Sequence, residues 1–235
     1  MPIEENTGSD GGAELDVLEA IEARILGSLI EKQATTPDAY PLTLNAVVAA
    51  CNQKSNREPM TQYEPGEVGH ALRQLEGRNF VSGTLSARAS RYAHKFDTGY
   101  NVTSRQRALL ALLMLRGPQT LNELYSRSER LADFPDAEEV RSVLDRLASR
   151  IPALVVRLHR APGQREERYM HLLCGAVSMD AAMALPDPAE KSSPGLSERV
   201  SQLESLVAQL QEVITELQAR PRNGSHPAED ETGEA

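Results

Sequence analysis

Two stretches of this sequence repeat one another at a fixed distance. Leu42-Thr43-Leu44-Asn45 matches Gln119-Thr120-Leu121-Asn122, and Arg91-Tyr92-Ala93-His94 matches Arg168-Tyr169-Met170-His171, both 77 residues apart. Between them Glu67-Val68 matches Glu139-Val140 at a distance of 72. A duplicated unit must fold the same way twice, with spacing differences confined to loops. Here a longer loop precedes the third helix of the first copy, and a longer helix-to-strand stretch follows it in the second.

Hydrophobic spacing fills in the unit. Leu15, Leu18, Ile21, Ile25, Leu26, Leu29 and Ile30 recur every three or four residues, which predicts a helix capped by Asp16 with Glu19 three residues on, ending near Thr35-Thr36-Pro37. Thr43 opens a second helix through Leu44, Val47, Val48 and Cys51. A third runs from about Pro65 through Val68, Leu72 and Leu75 to Gly77 and Asn79, and residues 80–96 read as two strands. In the second copy, residues 104–115 form a strongly apolar helix that stops at Gly117-Pro118. Thr120 with Glu123 opens the next helix, and Asp136 opens a third that buries Val140, Val143, Leu144 and Leu147. Residues 154–158 and 169–173 are strands flanking a turn at 161–164. Three helices and a hairpin make up the winged-helix plan, in which the third helix can enter a major groove and the hairpin can lie along the DNA backbone. The expected fold is mainly α with small β-hairpins (α+β): two tandem winged-helix domains, 15–98 and 99–175, plus a C-terminal coiled-coil helix.

The flanks differ from the repeats. Residues 1–14 are polar and Gly-rich, residues 176–195 read as a Pro-rich linker, and 220–235 as an acidic tail; both tails are expected to be disordered. Residues 196–219 carry heptads, with Val200, Val207 and Ile214 at a and Leu196, Leu203, Leu210 and Leu217 at d. β-branched residues at a with Leu at d favour a parallel two-stranded coil, hence a homodimer; the competing reading is a helix packed on its own domain.

Charge follows the same division. The chain carries −9 overall, but residues 16–175 hold 21 Lys and Arg against 19 Asp and Glu, while the flanks hold 4 against 15. The average therefore does not argue against nucleic acid. The N-terminus has neither the basic nor the apolar region of a signal peptide, and no apolar run approaches membrane length. A cytoplasmic protein without membrane association, its two cysteines Cys51 and Cys174 free, is expected.

The stretch 31–45, Glu31-Lys32-Gln33-Ala34-Thr35-Thr36-Pro37-Asp38-Ala39-Tyr40-Pro41-Leu42-Thr43-Leu44-Asn45, continues at 50–59 into Ala50-Cys51-Asn52-Gln53-Lys54-Ser55-Asn56-Arg57-Glu58-Pro59. It closely resembles the signature of the YceH-like family of bacterial proteins. Leu115-Arg116-Gly117-Pro118-Gln119-Thr120 and Arg165-Glu166-Glu167-Arg168-Tyr169-Met170-His171-Leu172 are similar to that family too. The resemblance covers residues 15–175. It implies a tandem winged-helix fold and supplies no biochemical activity, catalytic residue or ligand residue.

Basic residues are the candidates for function. On the first hairpin they are Arg88, Arg91 and Lys95; on the second, Arg157, Arg160, Arg165 and Arg168, tempered by Glu166 and Glu167. Each could neutralise a phosphate. On the first third-helix, Arg73 could read guanine and Gln74 adenine, with Arg78 beside them. Its second-copy counterpart offsets Arg141, Arg146 and Arg150 with Glu138, Glu139 and Asp145, so the first copy is the better reader. In the loop 52–59, Lys54 and Arg57 could clamp phosphates, or the loop's polar residues could serve its own turns. The repeated Arg-Tyr-x-His motif reads as structural, because two equivalent copies argue for packing rather than chemistry. No CxxC, HxxxH, phosphate-cradling Gly loop or GxSxG occurs, so no metal, cofactor or catalytic residue is expected.

Two functions follow as expectations. One is a homodimeric regulator that binds double-stranded DNA. The other is a protein-interaction scaffold whose winged helices dock a protein partner, which the near-neutral repeats and acidic tails favour.

Overall fold

In the computed structural model, which describes residues 15–85, 89–160 and 166–175 together with Gln211, the chain enters its first helix later than the apolar spacing predicts. Helix α1 (Ala20–Thr35) is capped by Glu19, not Asp16, in a reciprocal box with Glu22. The groups that would start the helix at Asp16 are engaged elsewhere. The Asp16 carboxylate holds Arg78, its carbonyl accepts the Tyr100 hydroxyl at 2.6 Å, and the Leu18 N–H reaches the Leu173 carbonyl at 2.7 Å.

A short 3₁₀ turn (Pro37–Ala39) leads to β1 (Leu42–Thr43), α2 (Leu44–Cys51), α3 (Pro65–Gly77), β2 (Val81–Leu85), β3 (Ser90–His94) and α4 (Phe96–Tyr100). The order then recurs: α5 (Ser104–Arg116), β4 (Gln119–Thr120), α6 (Leu121–Ser128), α7 (Ala137–Ala148), β5 (Val155–Leu158) and β6 (Arg168–His171). Thr43, Thr120 and Asp136 cap their helices as their positions predict, each side chain accepting an N–H three residues on. Asn79, just past α3, sits in the left-handed region at φ 61°.

The hairpins are not two-stranded. Each is joined by a third strand where the sequence predicts only the entry to the second helix, which makes two antiparallel sheets ordered β1-β3-β2 and β4-β6-β5. Leu42 pairs with Tyr92 and Gln119 with Tyr169, so the two registers repeat along with the sequence. Among the described residues the chain is thus mixed α+β, with seven α-helices and two small three-stranded sheets.

Helices α1 and α5 have no solvent face along their middles. α1 buries every residue from Glu22 to Ile30, and α5 every residue from Ala108 to Leu115. A helix buried all round lies at the centre of its protein. Here the two pack on each other so closely that a Cβ built on Gly27 would lie 2.9 Å from Leu115 Cγ. Both copies share one hydrophobic core within a unit spanning Met1–Leu185. The second unit, Pro186–Ala235, lies outside the described residues except for Gln211, and so do the expected linker, coiled coil and tails. No helix among the described residues is long and apolar enough to cross a membrane.

Candidate nucleic-acid interface

Helix α3 begins where Glu64 and Glu67 form a reciprocal cap and Pro65 occupies the first turn. It buries Val68, Gly69, Ala71, Leu72 and Leu75. Arg73 and Gln74 remain exposed, and neither side chain makes a hydrogen bond or ion pair among the described residues. One turn further on, Glu76 Oε1 accepts the Gly83 N–H of β2 at 2.9 Å. Lys95, exposed at the end of β3, donates Nζ to Asn79 Oδ1 just past α3, also at 2.9 Å. These two bonds fix the helix that carries Arg73 and Gln74 to the hairpin that carries Lys95. A Cβ at Gly83 would lie 2.7 Å from Glu76 Oε1, so a side chain there would displace that carboxylate.

Several arginines expected at this surface are withdrawn into the structure. Arg57 is buried: its guanidinium grips both oxygens of Glu31, at 2.6 and 3.2 Å, and its Nε donates to the Ala50 carbonyl at 3.0 Å. It holds the loop 52–59 onto α1 and cannot reach a phosphate. Arg78 is likewise a clamp. It binds Asp16, the Val17 carbonyl and, at 2.8 and 3.0 Å, both oxygens of the buried Glu22, and it lies over the Phe80 ring. Its second-copy counterpart Arg150 does the same work, donating to the Tyr100 and Asn101 carbonyls at 2.9 Å. In both copies, therefore, the arginine after the third helix fastens the chain that enters the unit's first helix.

The motif arginines form a second duplicated pair. Arg91 donates to the Pro41 carbonyl at 2.8 Å and Arg168 to the Pro118 carbonyl at 3.2 Å, each tying the middle strand to the residue before the edge strand. Arg91 stays exposed, whereas Arg168 is largely covered and also pairs with Glu123 at 3.3 Å. The sequence places both on the wing surface and carries no sign of this role, because Pro41 and Pro118 announce nothing until the strands are paired. The histidines of the motif are held neutral. Burial, then Arg107, pushes His94 down to about 4 against the opposing pull of Asp97, and burial alone pushes the fully enclosed His171 down to about 4. His94 Nδ1 faces the Phe96 N–H and Nε2 faces Gln33 Oε1, which keeps the ring in place between strand and helix.

The second copy is more self-contained. On α7, Arg141 pairs with Glu138 at 3.3 Å, and Arg146 and Arg105 both pair with Glu139 at 3.3 Å. On the hairpin, Arg157 pairs with Glu167 at 3.3 Å, and Arg160 is exposed beside a cleft shared with Arg141, Glu166 and Glu167. At the 72-residue offset, the counterpart of Arg73 is Asp145. Arg88 and Arg165 lie outside the described residues. What remains open on the first copy is Lys54, Arg73, Gln74, Arg91 and Lys95. Asn52 does not belong with them: it exchanges 2.8 Å bonds with the Tyr63 backbone through both ends of its amide and so closes the loop. Cys51 is enclosed in the core, and burial pushes its thiol up to about 11.

Residues 18–164 match the model of a family described as "Protein of unknown function, DUF480". The chain is similar to a UPF0502 protein of Stenotrophomonas maltophilia, 51% identical over 216 residues that cover 90% of this chain and 99% of that protein. It is also similar to a UPF0502 protein of Pseudomonas paraeruginosa, 55% identical over 184 residues (77% of this chain, 82% of that one), and to one of Pseudomonas aeruginosa, 55% identical over 180 residues (76% and 80%).

Proposed function

Since the chain belongs to the family described as "Protein of unknown function, DUF480", whose description names no activity, we propose from its own residues that it binds duplex DNA through its first copy. Both copies are taken as winged helices, the heptads at 196–217 as the dimer contact, and the molecule as a cytoplasmic regulator without a catalytic role. The observation that carries the reading is the pair Arg73 and Gln74, exposed and unengaged on α3, with α3 tied to a hairpin that presents Arg91 and Lys95. An Arg beside a Gln on a groove-facing helix can read base edges, while hairpin cations neutralise phosphates.

The test is a mobility-shift titration of the full chain with short mixed-sequence duplexes over a series of salt concentrations. About micromolar affinity at low salt is expected, falling steeply as salt rises. Arg73→Ala weakens binding about tenfold, whereas Arg141→Ala, which removes a cation already paired with Glu138, leaves it unchanged. Undetectable binding at low ionic strength sinks the reading.

A second role is favoured for the second copy. The ion pairs that cover α7 neutralise the charge a DNA reader needs, which suits a protein-docking face better. Capture of a protein partner that Arg73→Ala does not disturb supports that division of labour.

A further inference from the structure

Where α1, α5 and α6 end, the two copies enclose a cleft of about 470 Å³. Lys32 enters it from the last turn of α1, Arg116 from the end of α5, Arg127 from the last turn of α6, and Arg130 from the residues beyond. Leu112 and Leu115, both buried, line it as well. No lining residue belongs to α3, α7 or either hairpin, so the cleft is separate from Arg73, Gln74, Arg91 and Lys95, although Gln53 and Asn56 of the loop that carries Lys54 line it.

The cations outnumber the carboxylates. Two carboxylates line the cleft, Glu31 and Glu129; both oxygens of Glu31 are taken by Arg57, and one of them also lies 3.9 Å from Lys32 Nζ. Neutral amides hold the cations in position. Lys32 Nζ donates to Gln53 at 3.2 Å, Arg116 donates to Asn56, and one arm of Arg127 donates to Gln119 at 2.8 Å. The other arm of Arg127 pairs with Glu123 at 2.9 Å, a carboxylate that also serves Arg168. An amide partner orients a guanidinium without cancelling its charge. Cations in a last helical turn complement the helix dipole, which accounts for one charge at each of three helix ends. It does not account for Arg130, exposed beyond α6 with no partner among the described residues. Nor does it account for the crowding around Arg116. That guanidinium is held below its ordinary value first by burial and then by Arg127, with Glu31 and Glu123 opposing and Arg57 adding to the depression. An anion alongside it relieves both the desolvation and the like-charge repulsion.

We infer that this cleft binds a small organic phosphate, its phosphate held by Arg116, Arg127 and Arg130 and its organic part along the remaining wall, where Leu131 is half-buried. The surplus of positive charge matches a phosphomonoester, which carries about −1.5 to −2 at neutral pH. Guanidinium forks fit its oxygens. The volume lies within the range of ligand pockets, about 300–1,000 Å³, and leaves room for more than inorganic phosphate.

The experiment uses the full chain with three probes, inorganic phosphate, adenosine 5′-monophosphate and adenosine, each compared with chloride at matched ionic strength. Thermal unfolding and titration calorimetry are the readouts. Phosphate and the nucleotide are expected to raise the melting temperature, and adenosine is not. Arg130→Gln, at an exposed position where folding is safe, and Arg116→Gln each weaken nucleotide binding about tenfold. Absence of any phosphate-dependent shift overturns the inference, and so does binding that survives both substitutions undiminished. A loss of duplex-DNA affinity in Arg130→Gln overturns it too, by assigning these cations to a nucleic-acid backbone. Phosphate binding in a protein that shows no affinity for DNA supports the cleft and removes the DNA reading alone.

Discussion

At the scale of the residue, arginines that look alike in the sequence divide into clamps and free cations. Arg57 and Arg73 are both basic residues in polar surroundings. One is enclosed on the far side of a 26-residue separation from its carboxylate, and the other stands in solvent. No local pattern distinguishes them, because the partner of Arg57 is set by tertiary packing of the loop 52–59 on α1. The structural difference has a measurable sign. Arg57→Ala leaves Glu31 largely covered with its guanidinium partner gone, and is expected to lower unfolding free energy by about 3 kcal/mol. Arg73→Ala changes an exposed position and is expected to move stability by no more than about 0.5 kcal/mol. Urea unfolding of the two variants checks the contrast. Equal losses would show that Arg73 is also a structural group and would undercut the part in DNA reading proposed for it.

At the scale of the element, the helices were legible and the smallest pieces were not. A helix of 8 to 12 residues writes its period at least twice, and Thr43, Thr120 and Asp136 mark three of the starts. The edge strands β1 and β4 are two residues each, too short for any alternation, and α4 is five residues wedged behind the first hairpin. Yet α4 is tightly fitted. A Cβ on Gly99 would come within 2.2 Å of the buried Phe80 ring, so Gly99→Ala is expected to destabilise by about 2 kcal/mol through forced repacking. The sheets carry a pH dependence of their own. His94 on β3 and His171 on β6 bind protons near 4 when folded and near the ordinary 6.5 when unfolded. Between those values the unfolded chain takes up more protons, so stability is full above about 6.5 and is lost as pH falls toward 4. The loss reaches about 3 kcal/mol for the enclosed His171 and less for the half-buried His94. Thermal melts from pH 7 to pH 4 should show the decline, and His171→Gln should flatten it.

At the scale of the whole molecule, the central question is whether two copies of one unit are also two folding units. The apolar run of α5 hints at the answer, since Leu109, Leu110, Leu112, Leu113 and Leu115 are too many for one face of a surface helix. In α1 the hint is masked. Glu22, Arg24 and Ser28 interrupt the apolar pattern as if they faced water, yet all three are buried. Glu22 is covered because it holds Arg78, and Arg24 because it donates to the Pro59 carbonyl at 2.7 Å and the Cys51 carbonyl at 3.4 Å. Polar residues of α1 are thus buried against its own copy, which disguises in the sequence a helix with no solvent face along its middle. The contact at Gly27 and the bonds from Leu18 to Leu173 and from Glu58 to Leu115, at 2.7 and 2.9 Å, close the seam. A fragment ending at residue 98 would expose the side of α1 that α5 covers, with no polar face to turn outward. Such a fragment is expected to aggregate or remain unfolded, and residues 15–175 to unfold in one cooperative step by both circular dichroism and tyrosine fluorescence. Widening the seam with Gly27→Val is expected to lower that single transition by about 2 kcal/mol without splitting it. A fragment 15–98 that melts cooperatively on its own would mean that the buried middle of α1 tolerates water. The orientation of α3 relative to the second copy would then be adjustable, and a DNA reader of this design would engage its site as two jointed modules rather than one rigid body.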